Sequence, residues 1–293
     1  MGQRVFVTGA TGVLGRRVVP RLVEAGHQVT AVVRSQAKAD AVRAAGATPI
    51  EVDLFDTPRI REAIDGCDCI AQLATQIPSG PAAAQRSAWE ANDLLRGVAA
   101  PAIAAAAVDA GVGRFIQESI TFPYVDAGDD WIDESHERSY SSGNRSNATA
   151  ETAAAHVTAA GGVGVVLRFA LFMAPESAHT QGFVTAARDG RFTVAGDLRG
   201  YVSFIHIDDA AAAVVAALQA PAGIYNVAEP DPVRRHVHRD ALSALVGRPL
   251  AESTDDDGAN PLARSHRISS RLLHGATGWA PLVNCVEQWK DCR

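Results

Sequence analysis

Three short stretches carry residue types and spacings that could do chemistry. The first is TGATGVLG, residues 8–15, with glycines at positions 9, 12 and 15 between the apolar run Val5-Phe6-Val7 and an amphipathic segment. Gly9 permits a tight turn, Gly12 lets the backbone approach a pyrophosphate, and Gly15 lets a helix pack close to a strand. Thr11, Val13 and Leu14 fill the loop, and the free N–H groups of the following helix suit an anion. The second stretch is the end of the strand-like run QVTAVVR, where Arg34 stands nineteen positions after Gly15 and is followed by Ser35. A carboxylate there would accept hydrogen bonds from a ribose 2′-hydroxyl; a guanidinium suits a 2′-phosphate and points to NADP(H). The alternative for Arg34 is a solvated surface arginine, since Arg16 and Lys38 lie close in sequence. The third stretch is QESITFPYVD, which offers Ser119, Thr121 and Tyr124. In an extended strand end, positions 119 and 121 project to the same face. Pro123 stiffens the turn before Tyr124. A phenol of ordinary pKa, about 10, is a poor base at neutral pH but a competent proton donor. The competing reading of Tyr124 is an amphipathic residue at a loop boundary.

Other polar residues need no chemistry. His206 lies in the apolar run YVSFIHID before Asp208 and Asp209, which read as helix-capping residues, and a histidine there satisfies backbone groups more often than it catalyses. Arg234, Arg235, His236, His238 and Arg239 read as a solvated helix start, although they could meet an acidic substrate group. Carboxylates 255–257 are a loop charge run. Cys67 and Cys69 are one residue apart, closer than metal knuckles allow, and Cys285 and Cys292 lie at the other end, so no metal site and no stabilising disulfide is expected.

These residues must be positioned by an α/β framework. At 293 residues, with 47% apolar and 20% charged side chains, the chain can bury one large core. The net charge of −6 speaks against nucleic acid or an anionic membrane as partner. No apolar stretch is long enough to span a bilayer and no signal-type segment opens the chain, so the cytoplasm is expected. Strand 4–9, helix 13–25 and strand 28–34 form a βαβ unit with a right-handed crossover, and Leu14, Val18 and Leu22, widened by Val19 and Val23, give the helix its buried stripe. Pro20 interrupts the pattern and should bend the helix. The alternation continues through helices near 37–45, 58–64, 92–110 and 144–160, predicting a parallel sheet of at least six strands. After Met173 the elements shorten, with helices at 209–218 and 238–245. The expected architecture is therefore a Rossmann-type doubly wound parallel sheet, residues 1–172. A small C-terminal substrate-binding lobe, 173–293, lies against the sheet's C-terminal edge, some of its elements returning to the core.

TGATGVLG resembles the TGxxGxxG fingerprint of the extended and atypical short-chain dehydrogenase/reductase superfamily. Asp53 and Leu54 in VDLFD resemble its adenine-contacting position, AQLATQIP its strand-end HLAA, and SFIHIDDAAAA its IHVDD helix start; GIYNVAE and TGWAPLVNCVEQW also look like family landmarks. The resemblance implies a cofactor set of Gly9, Thr11, Gly12, Val13, Leu14, Gly15, Arg34, Asp53, Leu54, Leu73, Ala74 and Thr75, with Ala170, Leu171 and Phe172 after the strand GVVLRFA. It also implies a catalytic Tyr and, four residues later, a Lys. GNRSNATAE resembles the family's YxRSKxxxE but puts Gly143 at the Tyr position and Asn147 at the Lys position; counted from Tyr140 instead, the fourth residue is Asn144. The usual pair is missing on either alignment.

The expectation is an NADP(H)-dependent oxidoreductase acting on a small carbonyl or alcohol compound, with Ser119 orienting the substrate oxygen, Thr121 assisting and Tyr124 giving the proton. A non-redox epimerase, dehydratase or cyclase of the same fold, and a non-catalytic dinucleotide-sensing protein, are the rivals. The partner expected is a small-molecule substrate, and a second copy of the chain, as a homodimer, stays open.

Overall fold

The computed structural model describes residues 2–78, 80, 82, 85–141, 144–252 and 260–292. Gly143 and the carboxylates 255–257 lie outside the described residues. The first half alternates strand and helix: β1 (Arg4–Thr8), α1 (Gly15–Glu24), β2 (Gln28–Val33), α2 (Gln36–Ala44), β3 (Thr48–Glu51), α3 (Thr57–Ala63) and β4 (Cys69–Gln72). There follow α4 (Glu90–Leu94), a π-helical stretch Leu95–Ala99, α5 (Ala100–Asp109), β5 (Arg114–Ile120), the short β6 (Trp131–Ile132), α6 (Arg145–Ala159) and β7 (Val163–Phe169). The remainder is β8 (Leu171–Met173), α7 (Ala178–Arg188), β9 (Thr193–Val194), β10 (Tyr201–Val202), β11 (Phe204–His206), α8 (Ile207–Ala216), β12 (Gly223–Val227), β13 (Val233–Arg234), α9 (Arg235–Val246), β14 (Ala251–Glu252), β15 (Arg267–Ile268) and α10 (Arg271–Thr277).

Seven strands form one parallel sheet in the order β3-β2-β1-β4-β5-β7-β12. The chain runs outward from β1 to β3 and then returns to lay β4 on the other side of β1, so a crevice opens above the β1 and β4 ends, where this fold class binds its ligands. The seventh strand, β12, comes from beyond residue 173 and completes the sheet at β7.

Both faces of the sheet are covered, so most of its strand positions are buried, including polar ones such as Gln72, Glu118, Ser119, Arg168 and Asn226. On one face Val5, Val7, Ile116 and Leu167 pack with Val18 and Leu22 of α1 and with Ala211 and Val214 of α8. On the other, Phe6, Ile70, Phe115 and Val166 pack with Ile60, Ile103 and Val157 of α3, α5 and α6. Each such side chain, fully buried, stabilises by about 1.5–3 kcal/mol. Helix α1 begins at Gly15, two residues later than the sequence pattern suggested, because residues 11–14 are spent on the turn; it continues through Pro20 to Glu24. A third, smaller cluster gathers Met173, Val184, Phe204, Leu242, Cys285 and Trp289 from β8, α7, β11, α9 and the C-terminal segment.

Candidate active site

The glycine loop is shaped by three different constraints. Gly9 has φ +66°, and a Cβ there would lie 2.5 Å from the Leu73 carbonyl oxygen. At Gly15 a Cβ would fall 2.2 Å from the Gly9 carbonyl oxygen, so the start of α1 touches the loop directly. Gly12 is different: it is exposed, its N–H donates to the Gly9 carbonyl at 2.9 Å, and an added Cβ would meet only that oxygen, at 3.2 Å. A side chain there would occupy the space above the loop. No side chain caps the N-terminus of α1 and no acidic residue belongs to its first turn; the N–H groups of Arg16 and Arg17 bond to the Gly12 and Leu14 carbonyls, while those of Val13, Leu14 and Gly15 have no acceptor among the described residues. Thr11 and Val13 are half-buried and Leu14 is buried.

The neighbouring strand ends are tied to this loop. The Thr8 hydroxyl accepts from the N–H groups of Leu73 (3.1 Å) and Ala74 (3.2 Å) and donates to the Gln72 side chain. Asn92 at the start of the long α4–α5 helical segment accepts from the Gln76 N–H at 3.0 Å, holding the chain just past Thr75. Neither Thr8 nor Asn92 was singled out from the sequence; a hydroxyl and an amide inside otherwise apolar segments were the available signals. Arg34 follows β2, is exposed and has no hydrogen-bond or ion-pair partner among the described residues. Arg16, by contrast, is paired with Glu176 at 3.0 Å. Asp53 is exposed and accepts from the Phe55 N–H at 3.0 Å, and Leu54 beside it is half-buried. Ala170 is buried with its N–H on the Val227 carbonyl (2.9 Å), Leu171 donates to the Ser203 carbonyl (3.3 Å), and Phe172 packs edge-on against Phe169.

The catalytic corner differs from the sequence expectation. Ser119 and Thr121 are closed to solvent, and the Ser119 hydroxyl donates to Glu151 at 2.8 Å. Glu151, on α6, also accepts from Arg168 Nε (2.7 Å), Arg168 Nη2 (2.6 Å) and Arg138 Nη1 (2.8 Å). Burial works against the Arg168 charge, yet Glu151 and Tyr124 together hold its pKa above the ordinary value. Tyr124 is 0% exposed. Its hydroxyl donates to Asn226 at 2.9 Å and accepts from Arg168 at 2.7 Å, and its carbonyl accepts from His266 at 2.9 Å. Burial pushes its phenol above the usual range. The inward aim suggested by Pro123 is present, but it leads into a sealed hydrogen-bond network, where the hydroxyl has a proton acceptor already.

Asn147, at the position where the family's Lys is expected, is buried on the α6 face one turn before Glu151. Its Nδ2 donates to the Asn144 carbonyl at 2.9 Å, and its Oδ1 has no hydrogen-bond partner among the described residues. Tyr140 is half-buried, and its oxygen accepts from Arg138 Nη1 at 2.9 Å.

Several other sequence readings change. The cap of α8 is His206, whose ring accepts from the Asp208 N–H at 3.3 Å; Asp209 instead accepts from the N–H groups of Leu282 and Val283, stapling the C-terminal segment to the helix start. Arg235 and His238 are buried rather than solvated: Arg235 donates to the carbonyls of Asp197 and Leu262, and His238 accepts from the Trp289 indole at 3.1 Å. Arg234 lies over the Tyr201 ring and pairs with Asp129. Among the described residues, no helix is long and apolar enough to cross a membrane.

Known proteins share this architecture. The UDP-Glc/GlcNAc 4-epimerase of Campylobacter jejuni superposes with TM-score 0.80 at 16% identity, covering 99% of this chain and 98% of that one. A Bordetella bronchiseptica enzyme solved in complex with NAD gives TM-score 0.75 at 20% identity, over 99% and 93%. In sequence, a 3-diazoavenalumate denitrifying reductase of a Streptomyces species is 29% identical over 78% of this chain and 77% of its own. A 4-hydroxy-2-methyl-3-oxo-4-farnesyl-3,4-dihydroquinoline-1-oxide ketoreductase of Stigmatella aurantiaca is 30% identical, over 78% and 69%. The chain spans only about a quarter of the length of two other relatives, in Schizosaccharomyces pombe (24%) and Dictyostelium discoideum (25%). The model of the NAD dependent epimerase/dehydratase family matches residues 5–228, and it is to this family that the chain belongs.

Proposed function

We propose that the protein is an NADP(H)-dependent oxidoreductase that reduces a carbonyl compound, or oxidises the corresponding alcohol. The observation that carries the reading is Arg34: a guanidinium without a protein partner, at the end of β2, on the same sheet edge as an open glycine loop. The residues present fit a dinucleotide, since Gly12 leaves the space a Cβ would fill and no side chain caps the N-terminus of α1. Gly9 to Gly15 would hold the pyrophosphate, Arg34 the 2′-phosphate, and Asp53 and Leu54 the adenine. Leu73, Ala74 and Thr75, with Ala170, Leu171 and Phe172, would line the nicotinamide side. When bound, the dinucleotide supplies the hydride chemistry. That the Streptomyces and Stigmatella relatives are a reductase and a ketoreductase supports the redox direction.

Within this reading Ser119 and Thr121 fix the end of β5. The Ser119 proton is committed to Glu151, so the serine shapes the site through that carboxylate. Calorimetric titration should show NADPH binding at least about tenfold more tightly than NADH, a gap of roughly 1.4 kcal/mol, and Arg34→Ala should erase most of it. Equal affinities in the parent would remove the basis for NADP(H). The lack of a lysine at Asn147 favours one rival, a dinucleotide-sensing protein. That rival predicts tight NADPH binding with no oxidation of the bound cofactor by any carbonyl in a broad panel.

A further inference from the structure

An oxidoreductase of this kind needs a group that can give a proton to the substrate oxygen, and Tyr124 is sealed. The described residues hold another phenol at the same end of the sheet. Helix α6 connects two parallel strands, β5 and β7, so its N-terminus lies at the sheet's C-terminal edge, and Tyr140 comes shortly before it. Arg138 Nη1 donates both to the Tyr140 oxygen (2.9 Å) and to Glu151 Oε2 (2.8 Å), while Glu151 Oε1 accepts from Ser119 (2.8 Å). Tyr140 is thereby joined to the end of β5 through one guanidinium and one carboxylate.

We propose that Tyr140 is the proton donor of the site and that Arg138 is its positioning residue, holding the phenol and balancing the phenolate left after transfer. This rests on the oxidoreductase reading above. Three observations support it. First, the Tyr140 oxygen accepts a hydrogen bond but its O–H has no acceptor among the described residues; the hydroxyls of Tyr124 and Tyr225 are donated to Asn226 and to the Pro221 carbonyl, and Tyr201, whose hydroxyl likewise has no acceptor among the described residues, lies on β10, paired with β13 outside the seven-stranded sheet. Second, Tyr140 is half-buried, open to a ligand as Tyr124 is not. Third, Arg138 bridges the Tyr140 oxygen and Glu151, so a guanidinium stands in hydrogen-bond contact with the phenol. A cation in hydrogen-bond contact stabilises the charged form of its neighbour. In the resting site, burial and the Glu151 charge hold the Tyr140 phenol above its ordinary range despite Arg138 and Arg168, so it is protonated at neutral pH, as a donor must be.

The step balances. As the substrate's carbonyl carbon is reduced by the dinucleotide, its oxygen takes the Tyr140 proton; the phenol O–H bond breaks, the product O–H bond forms, and the phenolate recovers a proton from water.

Two measurements test it. In a near-ultraviolet pH titration of the full chain, Tyr140→Phe should remove one phenol ionisation, and Arg138→Met should move that same step to higher pH by about one unit or more. With NADPH and benzil, an aromatic diketone probe, Tyr140→Phe should lower kcat at least about a hundredfold with KM and NADPH affinity retained, since a positioned acid is worth roughly two to four powers of ten. Arg138→Met should lower kcat and raise the alkaline limb of the pH profile, and Arg138→Lys should restore part of both. The proposal is overturned if Tyr140→Phe turns benzil over within about threefold of the parent, well short of an acid's usual contribution, or if Arg138→Met leaves the ionisation where it was. A parent that fails to bind NADPH would strike the oxidoreductase reading alone; the titration would still decide whether Arg138 governs Tyr140.

Discussion

The glycine loop at the end of β1 and the charged network at the end of β5 sit on the same edge of one sheet, yet they are built in opposite ways. The loop is made by eight consecutive residues, 8–15, each constrained by neighbours a few positions away or by the adjacent strand. The network draws Ser119, Tyr124, Arg138, Tyr140, Glu151, Arg168 and Asn226 from five separate segments. The loop is exposed at Gly12 and leads into a helix start with no side-chain cap. The network buries a guanidinium at 1% exposure and a phenol at 0%, and it satisfies both with other protein groups. In physical terms the loop is left exposed at Gly12 and most of the network is closed, with half-buried Tyr140 at its edge.

The largest effect should come from breaking the network. Arg168→Met leaves Glu151 and Tyr124 without their main partner, and removing one member of a buried ion pair costs about 3–5 kcal/mol. Urea unfolding should show that loss; a change below about 1 kcal/mol would mean that the network contributes little and that the contrast with the loop is wrong.

Gly12→Val is the matching change in the loop, with the reverse signature. Dinucleotide affinity should fall at least about a hundredfold, roughly 2.7 kcal/mol of binding, because the valine occupies the space meant for the pyrophosphate. The urea midpoint should hardly move, since a Cβ at Gly12 meets only one oxygen, at 3.2 Å. Unchanged affinity would displace the phosphate site from this loop.

Tyr124→Phe sharpens the division within the network. It deletes one hydroxyl from a sealed site and leaves Arg168 and Asn226 each short of a partner, which should destabilise by about 1–3 kcal/mol. Turnover per folded molecule should stay close to that of the parent, in contrast to Tyr140→Phe. A large kcat loss at full stability would return the proton-donor role to Tyr124.

The smallest effect lies between β12 and α9, where Glu229 and His238 are buried with Glu229 Oε1 4.0 Å from His238 Nε2. Burial raises Glu229 from 4.5 to about 7 and lowers His238 from 6.5 to about 4. A raised carboxyl stabilises the fold at low pH, and that contribution is lost as pH climbs from about 4.5 through about 7. A depressed imidazole stabilises above about 6.5, and its contribution is lost as pH falls through about 4. The two oppose each other between about 4.5 and 6.5, so stability should be flat there and decline on either side. Glu229→Gln should flatten the alkaline decline and His238→Gln the acid one, read as urea midpoints against pH. A pH-independent parent would show that the pair titrates alike folded and unfolded.

The order of strands and helices, the buried stripe of α1 and the roles of Gly9, Gly12 and Gly15 were legible from the amino acids, because they follow from periodicity and from backbone constraints that act over a few residues. So were the absence of a carboxylate after β2 and of a lysine at 147. What the sequence could not determine was which polar side chains meet across the fold. Tyr124 and Tyr140 look alike as letters, each a phenol near the expected catalytic segment. Only the packing of β5 against β7 and β12 brings Arg168 and Asn226 to Tyr124 and closes it from solvent, while Arg138 turns to Tyr140 and leaves its proton uncommitted. The same holds for Arg235 and His238, which read as a solvated helix start until the C-terminal segment covers them with Trp289 and the 262–264 turn. Local geometry is written in neighbouring residues; burial and hydrogen-bond partnership depend on segments more than a hundred positions apart, such as Tyr124 and Asn226, and are decided only when the sheet is complete.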